Sequence, residues 1–238
     1  MKTIYKLILL ALTVTFFSCQ KNENGLNSNS SITSNGILAG TILKYTPSLC
    51  DSVKAIQGML IGKGPVSIDG KFSIVLSTPT LTEIGNLSGI VTSDSTAMVG
   101  SIITIYTFKG GNFNGQLTKS SLVKDSLTAE GFSYAVFMYS DRDFTLKGTH
   151  KESNQDLSRN YSIINSEMNI IVKKGWNELI SSIKLSAKTS TSETMTFSLT
   201  NSISSDLQWQ QVSSGPTFMR GNVPSLIKMK SEKLFWKL

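Results

Sequence analysis

Residues that commonly do chemistry are few in this chain, and the densest group of them lies at residues 139–150. Asp141 and Asp143 stand two positions apart, and calcium is bound by several carboxylate and carbonyl oxygens. An EF-hand loop also needs further acidic or amide residues and a closing Glu, which do not follow here. Asp141 and Asp143 are therefore weak metal candidates, and the segment is better interpreted as a solvated turn between two strands. We expect neither a bound metal nor a cofactor.

A hydrolytic site is not indicated either. His150 is the single histidine, so a Ser-His-Asp mechanism would have to use it. No Gly-x-Ser-x-Gly turn presents a nucleophilic serine, and Cys50 lies 100 residues from His150 with no neighbour that lowers its pKa. The 16 acidic residues permit a glycosidase-like carboxylate pair, but no spacing points to one. We predict that the protein is not an enzyme, with a carboxylate hydrolase as the least favoured alternative.

Aromatic residues at turns, and on strands with one face towards water, favour a binding function. Trp176 lies in a Gly-Trp-Asn segment and Trp209 stands between two glutamines, and Tyr106 and Tyr139 are the next candidates. Exposed rings pack on sugar or peptide surfaces. Packing of both tryptophans in the core is the alternative, and the residues alone leave it open. We expect a glycan or protein ligand.

The distribution of charge argues against a nucleic-acid partner. The formal net charge is +7, but Lys2 and Lys6 lie near the N-terminus. The last 23 residues carry five basic side chains against one acidic one, which leaves about +1 for residues 19–215. Nucleic-acid affinity requires clustered Lys and Arg. We therefore expect no nucleic-acid binding.

The N-terminus predicts export and a lipid anchor. Lys2 and Lys6 precede an apolar run at residues 7–17, which is shorter than the roughly 20 residues that a membrane-spanning helix needs. The run ends in Phe16-Phe17-Ser18-Cys19, which resembles the lipobox of bacterial lipoproteins, although Phe16 replaces the usual Leu. The resemblance implies that Cys19 is diacylated and becomes the mature N-terminus, so that the membrane is reached through the lipid.

Two further resemblances point to the Bacteroidota. Gln20-Lys21-Asn22-Glu23 resembles the short signal that sends lipoproteins of this phylum to the outer face of the outer membrane. We therefore predict an outer-membrane lipoprotein facing the cell exterior, with the periplasmic face as the alternative. Three Asp-Ser-x triplets resemble the O-glycosylation sites of exported proteins in these bacteria, and their candidate residues are Ser52, Ser95 and Ser126.

The hydrophobic pattern from Gly36 onward has a period of two, which is typical of β-strands. Residues 132–139 are apolar on both faces, as expected of a central strand, whereas residues 194–200 alternate apolar with Ser or Thr. Asp69-Gly70 predicts a type I′ hairpin turn, and Gly110-Gly111-Asn112 and Lys174-Gly175 suit the same role. We predict a single antiparallel β-sandwich of about ten strands, with a lipocalin-like β-barrel as the alternative. One helix is expected over residues 120–131.

These patterns divide the chain into four parts. Residues 1–18 are a signal peptide, residues 19–35 a lipidated flexible tether, residues 36–215 the β-sandwich domain, and residues 216–238 a basic C-terminal tail or edge strand. The expected function is a lipid-anchored, non-enzymatic envelope protein that binds or adheres to a glycan or protein ligand. A structural or accessory subunit of an outer-membrane complex is the alternative.

Overall fold

The computed structural model describes residues 31–212, except for residues 85–87, 103–104, 122–131, 156–160, 190–191 and 203–205. The signal peptide, Cys19, Ser126, the expected helix beyond residue 121 and the C-terminal tail lie outside the described residues. Fifteen strands are described: β1 (Ile37–Thr41), β2 (Ser52–Gln57), β3 (Met59–Pro65), β4 (Lys71–Val75), β5 (Thr82–Glu83), β6 (Ile90–Thr92), β7 (Met98–Ile102), β8 (Ile105–Lys109), β9 (Asn112–Ser120), β10 (Phe132–Ser140), β11 (Phe144–Gln155), β12 (Tyr161–Val172), β13 (Gly175–Lys188), β14 (Ser192–Thr200) and β15 (Gln208–Val212).

The strands form one two-stranded sheet, β1-β4, and one sheet of thirteen strands. The large sheet runs in the order β3-β2-β8-β9-β10-β13-β14-β12-β11-β6, with β15 on β9, β7 on β10, and β5 on β7. This path has two ends and does not close into a barrel. The predicted all-β sandwich is confirmed, with more strands than the ten expected. The pairing is antiparallel except for β12 with β14, which run parallel.

Glycines with positive φ form several of the turns between strands. Gly58 adopts φ +68° and joins β2 to β3 in a tight hairpin. Gly110 and Gly111 both have positive φ, which confirms the type I′ turn between β8 and β9. At Asp69-Gly70 only the glycine has positive φ, and its N–H donates to Ser67 O (2.9 Å). That hairpin is therefore closed by a longer turn than the predicted one.

The connection at Lys174-Gly175 was also expected to be a hairpin turn, and this prediction is wrong. Strand β13 follows β12 along the chain, but β14 lies between them in the sheet. Gly175 has φ +93°, and the side chain of Asn177 donates to Lys173 O (2.7 Å) and accepts from Lys173 N (2.9 Å). The chain thus passes from β12 to β13 across the position that β14 occupies, and β12 and β13 do not pair with each other.

The first core lies between the β1-β4 sheet and the face of β2, β8, β9, β10 and β13 that it covers, which we call the inner face. Gly62 and Gly64 let the small sheet approach closely, because a Cβ on either would lie within 3 Å of the backbone of β4. Trp209 stacks on Phe137 with ring centroids 5.7 Å apart, and it meets the edge of Phe72 at 5.0 Å. An isolated bridge between Ile42 and Trp209 ties the end of β1 to β15.

A buried ion pair crosses this inner face. Lys119 Nζ lies 2.6 Å from Glu178 Oε1, and both side chains are almost inaccessible to solvent. The backbone N–H and the hydroxyl of Ser31 donate to Glu178 Oε2 at 2.7 and 3.0 Å. Ile32 packs into the same core. The structured region therefore includes residues 31–35, which were assigned to the flexible tether.

The second core lies towards the other end of the large sheet. Its buried side chains come from the later strands and from the segment before β7, and they are mostly aliphatic: Ile84, Ala97, Val99, Met138, Phe144, Leu146, Met168, Ile170, Val172, Leu179 and Leu199. Strand β10 contributes to both cores because its two faces are both buried, which confirms it as a central strand. Strand β14 is buried on alternate residues only, as its alternation predicted.

Candidate ligand-binding face

Strands β3, β2, β8 and β9 have an outer face that no other described strand covers. Side chains alternate between the two faces of a sheet, so the buried Val53 and Thr107 point to the inner face and their neighbours point outward. Lys54 pairs with Tyr106, and Ser52 pairs with Phe108. The outer face of this region therefore carries aromatic and basic side chains on adjacent strands.

The β8-β9 hairpin brings three aromatic rings together on this face. The two-residue Gly110-Gly111 turn sets Phe108 opposite Phe113, and a bulge at Thr107 and Phe108 then sets Tyr106 opposite Gln116. The ring centroid of Phe113 is 6.0 Å from that of Tyr106 and 6.3 Å from that of Phe108. Phe113 is 56% exposed. Rings held in this way present an apolar surface at little further cost in side-chain entropy.

Two lysines lie beside the rings. Lys54 Nζ sits 3.8 Å from the centroid of the Phe108 ring, which is a cation-π contact. Lys63 on β3 is the direct cross-strand partner of Lys54, and it is exposed. We call Lys54, Lys63, Tyr106, Phe108 and Phe113 the aromatic-lysine face.

Apolar side chains extend this face towards the β2-β3 hairpin. Ile56 and Leu60 are opposite each other across the bulged pair and are 36% and 50% exposed, and Met59 at the turn is 62% exposed. Contiguous exposed apolar surface of this kind is typical of interaction sites in soluble domains. The exposed hydrophobic surface of the hairpin tip is therefore continuous with the aromatic-lysine face.

Asp51 fixes the position of the β8-β9 turn relative to β2. Its Oδ2 accepts a hydrogen bond from Gly110 N (2.7 Å), and Lys109 Nζ lies 4.0 Å away. The hydrogen bond from Gly110, followed by that from Ser52, holds the pKa of Asp51 below its usual value. The carboxylate therefore stays ionised at neutral pH and anchors the hairpin that carries Phe108 and Phe113.

The two candidate tryptophans lie in the first core and not on the outer face. Trp176 and Trp209 are only 2% and 5% exposed, so neither presents a ring face to a ligand, and packing in the core is the correct alternative. Tyr139 is partly buried against the same core and meets Trp176 edge to face at 5.6 Å. Of the four aromatic candidates, Tyr106 alone belongs to the exposed outer face.

Asp141 and Asp143 are used by the β10-β11 turn. Asp141 accepts hydrogen bonds from Met98 N (2.9 Å) and the Arg142 guanidinium (2.8 Å), and Arg142 chiefly holds its pKa below the usual value. Asp143 accepts from Lys173 Nζ (2.9 Å) and Lys174 N (2.8 Å). In the part of the chain that the structure describes, no group of three or more His, Cys, Asp or Glu residues is placed to hold a metal ion.

His150 and Cys50 are held by local contacts. His150 Nδ1 lies 2.8 Å from Ser88 O, and it donates because a carbonyl oxygen only accepts. A backbone carbonyl therefore occupies the position that the orienting carboxylate takes in a catalytic triad. Cys50 is a free, fully buried thiol, and its pKa is raised first by burial and then by Asp51.

The candidate glycosylation sites differ in their settings. Ser95 is exposed in a turn where Asp94 Oδ1 accepts from Thr96 N (2.8 Å) and Asp94 also pairs with Arg142. Ser52 is the first residue of β2, and its hydroxyl donates to Asp51 Oδ1 (3.0 Å). Ser95 is therefore the more accessible of the two described candidates.

The chain matches no protein-family model, no curated protein and no solved structure. Where the structure describes the chain, no helix has the length and hydropathy needed to span a membrane.

Phe108, Phe113 and the two lysines were not among the sequence candidates. A signal for the two phenylalanines was present, because residues 108 and 113 are equidistant from Gly110-Gly111. A two-residue hairpin turn places such residues opposite each other on one face. No comparable signal marks Lys54 and Lys63, since their pairing depends on the unforeseen β2-β3 hairpin.

Proposed function

We propose that this chain is a lipid-anchored, non-enzymatic protein of the cell envelope, displayed on the outer membrane, that binds a glycan with its aromatic-lysine face. The observation that carries the proposal is the aromatic group on the outer sheet face, in which the exposed Phe113 packs against the half-buried Tyr106 and Phe108. Aromatic rings attract the C–H groups of a sugar face through their negative π surface. An open sheet face suits a polymer chain better than a small molecule, which is usually enclosed in a concave pocket.

Binding to immobilised polysaccharides tests the site. The full chain carrying Cys19→Ala keeps the lipid from contributing, and Phe113→Ala and Tyr106→Ala remove the rings. Each is expected to weaken binding about tenfold, which corresponds to about 1.4 kcal/mol. Ile171→Ala is the matched control, because Ile171 is similarly exposed (53%) but lies on β12. Equal binding by the ring variants and the control would contradict the proposed site.

The lipid anchor and the location of the protein in the cell envelope are tested separately. Cys19→Ala is expected to abolish labelling with a radioactive fatty acid. Protease added to intact cells is expected to remove the protein while a periplasmic control survives. Labelling that persists in the variant would disprove the anchor, and protection from protease would place the domain on the periplasmic side.

A docking subunit of an envelope complex is the second candidate. Ile37 and Val75 are cross-strand partners on the side of the β1-β4 sheet that faces away from the core, and they are 44% and 69% exposed. Co-purification of a fixed partner that is lost in Val75→Ser, while polysaccharide binding is absent, would favour this candidate over glycan binding.

A further inference from the structure

The two lysines of the aromatic-lysine face are placed against each other. Lys54 and Lys63 are direct cross-strand partners, and both point to the outer face. Like charges in this arrangement destabilise a sheet. Among the described residues, no carboxylate forms an ion pair with either of them. The face therefore carries two positive charges that the described part of the fold does not neutralise.

We propose that the aromatic-lysine face binds an anionic polysaccharide, with carboxylate or sulfate groups on Lys54 and Lys63 and a sugar ring on Phe113. This inference rests on the proposed function and names its ligand class. From β3 to β9 the face spans three strand spacings, or about 14 Å. That length exceeds one sugar ring, so the ligand is a chain whose charged and apolar groups alternate over the face. Two ammonium groups that no described carboxylate neutralises, on the same face as the exposed Phe113 ring, match both features.

The lysine pair argues against a protein partner here. The centres of protein interfaces are depleted in lysine because its charge loses water there. Lys54 and Lys63 lie between the exposed hairpin tip and the aromatic rings, so a protein covering both apolar parts would bury them. A flexible polyanion instead supplies the opposite charges and leaves the ammonium groups partly hydrated.

The position of the rings argues against insertion into a membrane. Met59 and Leu60 lie at the tip of the β2-β3 hairpin, where apolar side chains could enter a bilayer. Phe113 lies two strands away from β2, level with Ser52, which is four positions along β2 from Ile56. Insertion of the tip would leave the Phe113 ring in water. One extended ligand on the sheet face contacts the lysines and Phe113 together.

The test uses the full chain with Cys19→Ala and four probes: polygalacturonate with carboxylates, heparin with sulfates, neutral dextran, and phosphatidylglycerol vesicles. Calorimetry is expected to give at least about tenfold tighter binding of a polyanion than of dextran. Binding should weaken when NaCl rises from about 50 to about 200 mM, because salt screens exposed charges. Comparison of polygalacturonate with heparin shows which acid group is preferred.

Substitution of the lysines locates the effect. Lys54→Met with Lys63→Met is expected to weaken polyanion binding about tenfold more than it weakens dextran binding. Lys147→Met is the matched control, because Lys147 is an exposed lysine on β11 in the other half of the sheet. A cooperative urea transition whose midpoint is not lowered shows that each variant is folded.

The contrary outcomes are distinct. Dextran and polyanion binding of equal strength, lost in Phe113→Ala, would keep the proposed function and overturn this inference. Polyanion binding that Lys147→Met weakens as much as the double variant would overturn it in favour of general charge attraction. Binding to phosphatidylglycerol vesicles with no binding to any polysaccharide would overturn both.

Discussion

The inner and outer faces of one stretch of sheet use aromatic rings in opposite ways. On the inner face, Trp209 is enclosed by Phe72 and Phe137 and lies directly over Gly40. On the outer face, Phe113 meets Phe108 edge to face and Tyr106 at a tilt of 55°, but it leaves more than half of its own surface in water. Whether a ring is buried or exposed therefore depends on which face of the strand it lies on, because the β1-β4 sheet packs only on the inner face. Changes on the inner face should therefore affect stability, and changes on the outer face should affect binding.

The largest effect is expected at the buried ion pair. Glu178→Ala removes the carboxylate that pairs with the buried Lys119, and it also removes the acceptor of Ser31. Breaking such a pair typically costs about 3 to 5 kcal/mol. Urea unfolding should show this loss, and Glu178→Leu combined with Lys119→Met should recover much of it. Similar stability of the single and double variants would contradict the account of the inner face.

The next effect is expected at the contact of Gly40 with Trp209. A Cβ at Gly40 would overlap the indole ring, and overpacking of a core typically costs about 1 to 3 kcal/mol. Gly40→Ala should lower the urea midpoint accordingly. In a double-mutant cycle with Trp209→Leu, the cost of Gly40→Ala should shrink because the ring is gone. An additive cycle would mean that the ring is not the obstacle.

Lys63→Met is expected to act in the opposite direction on stability. It removes the repulsion from Lys54, so the free energy of unfolding should rise by up to about 1 kcal/mol. The same variant should bind polyanions more weakly. A gain in stability together with a loss of binding would show that the outer face is arranged for a ligand at the expense of the fold. A loss of both would instead mean that Lys63 supports the sheet.

The smallest effect is expected on the pH dependence of stability, through Asp51. The pKa of Asp51 is lowered in the folded state, so its contribution to stability is present above its ordinary pKa and is lost as the pH falls through the folded value. Asp51→Asn should therefore lower the stability slightly at neutral pH, where the contribution is present, and flatten the acid side of the stability-against-pH curve. Identical acid limbs in the variant and the natural protein would contradict this role.

Local patterns predicted the parts of the fold whose side chains alternate regularly. The apolar faces of residues 132–139 and the alternation of residues 194–200 identified β10 and β14, and paired glycines identified the β8-β9 turn. Strand β9 was missed because its sequence, Asn112–Ser120, is mostly polar, and its buried Lys119 pairs with Glu178 on a distant strand. Long-range pairing of this kind leaves no local signal.

The candidate site was predicted only in part, for a related reason. Tyr106 was selected as an exposed aromatic, but the tryptophans were selected from their polar neighbours, which says little about what covers them. Their cover comes from β1 and from Gly36 and Gly40, residues that are far from both tryptophans in the chain. Ile32 was assigned to the tether because a single apolar residue among polar ones has no periodicity, yet it fills the same core.

The position of β14 between β12 and β13 constrains how the chain folds. Only Lys173 and Lys174 separate β12 from β13, and adjacent segments joined by so short a connection can pair within microseconds. In the final sheet the position between β12 and β13 is occupied by β14, which follows both strands in the chain. Any early pairing of β12 with β13 must dissolve before β14 can enter. Refolding is therefore expected to include a phase slower than local hairpin closure, set by the opening of a non-native pair.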